Sequence, residues 1–66
     1  MDPAARIAYI NSQVICAQIR AMSMQAANTQ LAYFERPPQY AEKDFEGLIQ
    51  EYGIDHNSVI GYLTGR

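Results

Sequence analysis

Thiol and imidazole are almost missing from this sequence: its 66 residues hold one cysteine, Cys16, and one histidine, His56. An internal disulfide is therefore excluded, and so is a Cys/His zinc site built within one chain. Residues 3–34 contain no acid, and their charge comes from Arg6 and Arg20 alone. Gly47, Gly53, Gly61 and Gly65 stand singly, so no glycine-rich loop is present to cradle a phosphate. Long hydrophobic runs are missing too. The longest run without a polar side chain in the N-terminal half, Val14-Ile15-Cys16-Ala17, is far short of the roughly 20 residues of a membrane span. The start of the sequence has neither the basic region nor the unbroken apolar stretch of a secretory signal. These absences predict a soluble protein of a reducing compartment, the cytoplasm, with no membrane partner.

What is present is 48% hydrophobic, too rich in apolar side chains for a disordered chain. A single domain of this length buries only about 60% of its unfolded surface, so a lone core is marginal and needs disulfides, metals or partners. With the first two excluded, self-association is the expected route. Net charge is −2, and residues 35–66 carry six acids against three bases, Arg36, Lys43 and Arg66. An acidic balance argues against a nonspecific grip on nucleic-acid phosphates.

Asp2-Pro3 reads as a helix start, the aspartate capping free N–H groups and the proline occupying the first turn. From Ala4 to Phe34 neither glycine nor proline interrupts a stretch rich in good helix formers. The expectation is one helix over about residues 3–34, roughly 48 Å long at 1.5 Å per residue. Its apolar residues recur close to a heptad. Ile7, Val14, Ala21 and Asn28 share one core position, and Ile10, Ala17, Met24 and Leu31 share the other. This pair of positions is the expected oligomer interface, with Asn28 as a polar member that fixes register. A second row, Ala8, Ile15, Ile19, Met22, Ala26 and Tyr33, widens the apolar surface toward that of a bundle helix. A homodimer is expected first, because two-fold closure is commonest, and a tetramer next.

Pro37-Pro38 ends the long helix. A shorter helix follows from about Ala41 to Tyr52, with Phe45, Leu48, Ile49 and Tyr52 on one face and acids in its first turn. Gly53 is a stop in the left-handed conformation, letting Ile54 pack back on Ile49. Asp55 then caps a third helix over about His56 to Leu63, ended by Gly65. The whole is one all-α domain: a long N-terminal helix and a short helix pair, about residues 41–64, folding back in a helical-bundle homo-oligomer. Phe34, Phe45 and Tyr52 are expected to plug the junction between them.

No catalytic, cofactor-binding or metal-ligating set is expected. Cys16 sits mid-helix, its one potential base, His56, lies on another element, and a nucleophile needs a base within hydrogen-bond reach. Glu42, Asp44 and Glu46 read as a solvated face placed well for the helix dipole. Tyr40, His56 and Tyr62 are the candidates for contacting a partner, exposed tyrosine being favoured at protein interfaces.

The segment from Leu48 to Leu63 resembles a helix-turn-helix. Tyr52, Ile54, Val59, Tyr62 and Leu63 stand where that family packs its two helices together, around a turn glycine, Gly53. The likeness implies a DNA reader, but Ile49 stands where the family prefers a small residue. The would-be recognition helix also has no base before Arg66, whereas groove readers use Arg and Lys. Arg6 to Gln13, and Tyr40 to Phe45 through His56-Asn57, are similar to small bacteriophage and prophage proteins without assigned activity. The functional expectation is thus a non-enzymatic, self-associating adaptor or regulator that binds another protein, with a helix-turn-helix regulator as the alternative.

Overall fold

The computed structural model describes residues 2–64, and every regular element within them is an α-helix. These are α1 (Pro3–Tyr33), α2 (Glu42–Glu51) and α3 (His56–Leu63). One helix sets the shape. At 1.5 Å per residue α1 is about 46 Å long, nearly the whole of the longest extent in a body of 49 × 17 × 10 Å. The radius of gyration is 15.2 Å, whereas a compact chain of this length would have about 11 Å.

Each boundary has a local cause. Asp2 caps α1 through Oδ1, which accepts from the Ala5 N–H at 2.7 Å, and Pro3 follows at the first helical position. At the other end Glu35 adopts φ 55° and closes a Schellman turn. The Arg36 N–H donates to the Leu31 carbonyl at 2.8 Å and the Glu35 N–H to that of Ala32 at 3.0 Å. The helix therefore ends at Tyr33, and Pro37 prevents its resumption. The same turn recurs after α2, this time with a glycine. Gly53 has φ 65°, the Ile54 N–H donates to Ile49 at 3.0 Å and the Gly53 N–H to Gln50 at 3.1 Å. The Asp44 carboxylate accepts from the Ala41 N–H at the start of α2, and Asp55 Oδ2 accepts from the Ser58 N–H at the start of α3. Gly65, the expected end of α3, lies outside the described residues, as does Arg66; Thr64 caps the helix, its hydroxyl donating to the Ile60 carbonyl at 2.9 Å.

Both short helices lie on α1, and among the described residues they do not pack on each other. Phe45 and Leu48 of α2, with Ile54 beyond it, line a small cleft together with Val14, Ala17 and Ala21 of α1. At the α3 end the Tyr9 and Tyr62 rings stack at 5.0 Å, Gln13 Nε2 donates to the Tyr52 carbonyl, and Arg6 Nη1 donates to the Leu63 carbonyl. The connection from α1 to α2 is held by Asn28. Its side-chain amide donates to the Tyr40 carbonyl at 2.8 Å and accepts from the Tyr40 N–H at 3.0 Å, matching both backbone groups of one residue. Arg20 covers the Tyr40 ring, its guanidinium carbon 5.5 Å from the ring centre, and Nη2 reaches the hydroxyl at 3.4 Å.

The core that results is thin. Ala17, Met24 and Leu48 are the buried apolar side chains among the described residues, and no polar residue is buried with them.

Candidate functional site

The heptad positions expected to join copies of the chain lie on the face of α1 that its own short helices and connection cover. Ala17 and Met24 are buried there, and Ile10, Val14, Ala21, Asn28 and Leu31 are half-buried. Asn28 holds the Tyr40 backbone within the same chain. Ile7, at the margin of this face, remains exposed. Two rows of similar spacing run along α1, and periodicity alone does not say which of them the short helices will cover.

The second row is the uncovered one. Ile15, Ile19, Met22 and Tyr33 are 54%, 62%, 68% and 83% exposed, and Ala8 and Ala26 of the same row are exposed as well. No charged residue interrupts this row from Ala4 to Tyr33. Helical geometry puts Ser12 and Thr29 within it and Asn11, Gln18 and Gln30 beside it, all polar and neutral. Around Ala26 the surface dips into an open groove of about 640 Å³, lined by Met22, Gln25, Thr29, Gln30, Tyr33 and Phe34. A contiguous apolar surface rimmed by polar side chains is characteristic of interaction sites.

Phe34 corrects the expected junction. The sequence expectation groups it there with Phe45 and Tyr52, which are half-buried, yet it is 62% exposed and packs edge-on against Tyr33 with ring centres 5.3 Å apart. The Schellman turn begins at Phe34, the residue that caps α1, and the chain reverses away from it. Phe34 thereby extends the uncovered face.

The three candidate partner contacts do not converge. Tyr40 is half-buried under Arg20 and beside Asn28, Tyr62 is half-buried on Tyr9 near the other end of α1, and His56 is exposed in the first turn of α3. Cys16 is a free, exposed thiol on α1. Among the described residues no three His, Cys, Asp or Glu side chains cluster in a way that suits a metal ion. No described helix is long and apolar enough to cross a membrane. Asp55 has its carboxyl held below the usual carboxylate range by hydrogen bonds from the Ser58 side chain and then its backbone N–H, an effect of its capping position.

No protein-family model, curated protein or solved structure matches this chain. The likenesses to phage proteins and to a helix-turn-helix therefore rest on the quoted segments alone.

Proposed function

We propose that this chain is a non-enzymatic, self-associating helical protein that acts as an adaptor or regulator by binding another protein. The observation that carries the reading is the uncovered row of α1: large apolar side chains, more than half exposed, on a surface with no charge. Self-association is assigned to this row rather than to Ile7, Ile10, Val14, Ala17, Ala21, Met24, Asn28 and Leu31, because most of those side chains face α2, α3 and the connection. An assembly joined through the outer row would display two copies of the acidic C-terminal half, which is the surface offered to a partner. The thin intrachain core supports the same reading, since a chain with so few buried side chains gains stability from a second copy by mass action.

The rival is a transcriptional regulator using Leu48 to Leu63. A helix-turn-helix packs its two helices on each other, whereas α2 and α3 here each pack on α1. Lys43 is also the one base in the two short helices. Sedimentation equilibrium from low micromolar concentration upward tests the preferred reading: a rising mean mass is expected, and a constant monomer mass refutes it. Fluorescence anisotropy with random duplex DNA at low salt tests the rival. The expected result is no binding, and affinity that falls as salt rises would replace the adaptor with a DNA-binding protein.

A further inference from the structure

Building on that self-association, we infer that the outer row of α1 is an antiparallel seam for a second copy of this chain, with its two-fold axis between Ile19 and Met22. The uncovered positions follow a strict 4-3 spacing: Ala8, Ser12, Ile15, Ile19, Met22, Ala26, Thr29, Tyr33. All eight are exposed. Their order is nearly self-complementary when reversed. An antiparallel partner centred between Ile19 and Met22 sets Tyr33 against Ala8, Thr29 against Ser12, Ala26 against Ile15 and Met22 against Ile19. The largest residue meets one of the smallest, hydroxyl meets hydroxyl, and the two mid-sized apolar residues meet at the axis.

A parallel partner does the opposite. Tyr33 would face Tyr33 and Ala26 would face Ala26 one heptad away, with a Thr29 pair between, so a wide layer would hold the helices apart over a narrow one. Close-packed interfaces do not tolerate that alternation, because voids forfeit contacts that neighbouring bulk prevents from closing. Charge does not choose the orientation, since the flanking Gln18, Gln25, Cys16 and Ser23 are all neutral. Size matching is left to decide it.

The groove seen around Ala26 fits this arrangement. Met22, Gln25, Ala26 and Thr29 stand at i, i+3, i+4 and i+7, the four corners of a hole that receives one side chain from a facing helix. The antiparallel register delivers Ile15 of the second copy to that hole. The small side chain of Ala26 leaves room at one corner, and the symmetric contact repeats on the other side of the axis. α2 and α3 lie on the opposite face of α1, so they do not obstruct the partner. The overlap from Ala8 to Tyr33 runs about 38 Å along the axis, and a strip one helix wide gives a projected contact on the order of 400 Å² per chain, about half that of a standard interface and in the range of weak, transient ones. A reversible dimer follows rather than a permanent one.

Two measurements separate this seam from self-association in general. Sedimentation equilibrium of the natural chain should give a monomer–dimer equilibrium. A chain that stays monomeric to millimolar concentration overturns both the seam and the self-association reading. Cross-linking then tests orientation, using Ile15→Cys and Ala26→Cys chains, each with Cys16→Ser, mixed in equal amounts and mildly oxidised. The antiparallel seam predicts mixed 15-to-26 disulfide dimers in preference to same-position ones. In that seam position 15 lies about 16 Å along the axis from its own copy, as does position 26, and a disulfide needs its Cβ atoms within about 4.5 Å. Dimers joined 15-to-15 or 26-to-26, a dimer that fails to cross-link, or a tetramer overturns the seam while leaving self-association in place. As a folding control, Ile19→Glu should retain helical circular dichroism and weaken dimerisation about 100-fold or more, since each dimer would bury two unpaired carboxylates. Unchanged dimerisation would remove Ile19 from the interface and the proposal with it.

Discussion

Met24 and Met22 are two residues apart on one helix, and they are 3% and 68% exposed. That contrast divides α1 lengthwise. The inner face carries Leu48, the tyrosine stack and the backbone of Tyr40, with Arg6 and Arg20 engaged along it, whereas the outer face is free of charge and, among the described residues, stays uncovered. Similar composition on two faces has led to different fates because α2 and α3 together cover only one side of a cylinder. The inner row is chosen by specific contacts: the Asn28 amide that pairs with both backbone groups of Tyr40, and the small residues Ala17 and Ala21 that let α2 approach.

The strongest way to break the comparison is to truncate the two methionines separately. Met24→Ala should cost about 2–5 kcal/mol, the range for emptying a packed site, and with three buried apolar side chains among the described residues that should unfold the chain. Met22→Ala should change monomer stability by no more than about 0.5 kcal/mol. Thermal melts followed by circular dichroism, at concentrations low enough for the chain to be monomeric, would show it. Similar melts for both variants would mean that the two faces are not distinct.

Asn28 tests how the inner face is chosen. Asn28→Ala leaves a half-buried N–H and carbonyl of Tyr40 without their partner, and a loss of about 1–3 kcal/mol is expected. Hydrogen exchange should quicken at Tyr40 and through α2 before it does in the middle of α1. Uniform quickening along α1 would deny Asn28 its local role.

This residue also marks how far the sequence could be read. The helix boundaries were legible because capping chemistry is local: Asp2-Pro3, Gly53 and Asp55 each act within a few residues of themselves. The all-α class and the two apolar rows followed from periodicity. Which row faces inward did not, because both rows repeat at the same spacing and the choice depends on Asn28 meeting a backbone twelve residues away. Read as a heptad member, Asn28 suggested register between chains; its observed partner is a main-chain peptide, which carries no sequence signal. Phe34 was misplaced for a related reason, since an aromatic at a helix end looks alike whether the turn folds it in or out. The uncovered row was visible in the sequence, but only as the wider part of a bundle surface.

Glu35 sharpens the comparison at the point where the outer face ends. Its φ of 55° is a left-handed conformation that costs a side-chain-bearing residue about 1–2 kcal/mol. Glycine tolerates it but loses more freedom on folding. Glu35→Gly should thus stabilise the chain by roughly 0.5–1 kcal/mol, with the Arg36 to Leu31 hydrogen bond unchanged. A melting midpoint that falls instead would mean that the Glu35 side chain contributes more than its backbone strain takes away.

The smallest expected effect belongs to Asp55, which anchors the helix covering the N-terminal part of the inner face. Hydrogen bonds from Ser58 depress its carboxyl in the folded chain. A group whose folded pKa lies below its unfolded value stabilises the fold while it is ionised, so the contribution is complete above the ordinary aspartate range near 4. It declines as pH falls through that range toward the depressed folded value. Asp55→Asn keeps an acceptor at the N-cap but removes the titration and the charge at the positive end of α3. The difference in melting midpoint between the natural chain and this variant should accordingly be constant at neutral pH and shrink below about pH 4. Comparing the two at each pH cancels the six other acidic side chains, which they share. A difference that stays constant through the acid range, or grows as pH falls, would show that the Ser58 contacts do not distinguish the charged cap from a neutral one.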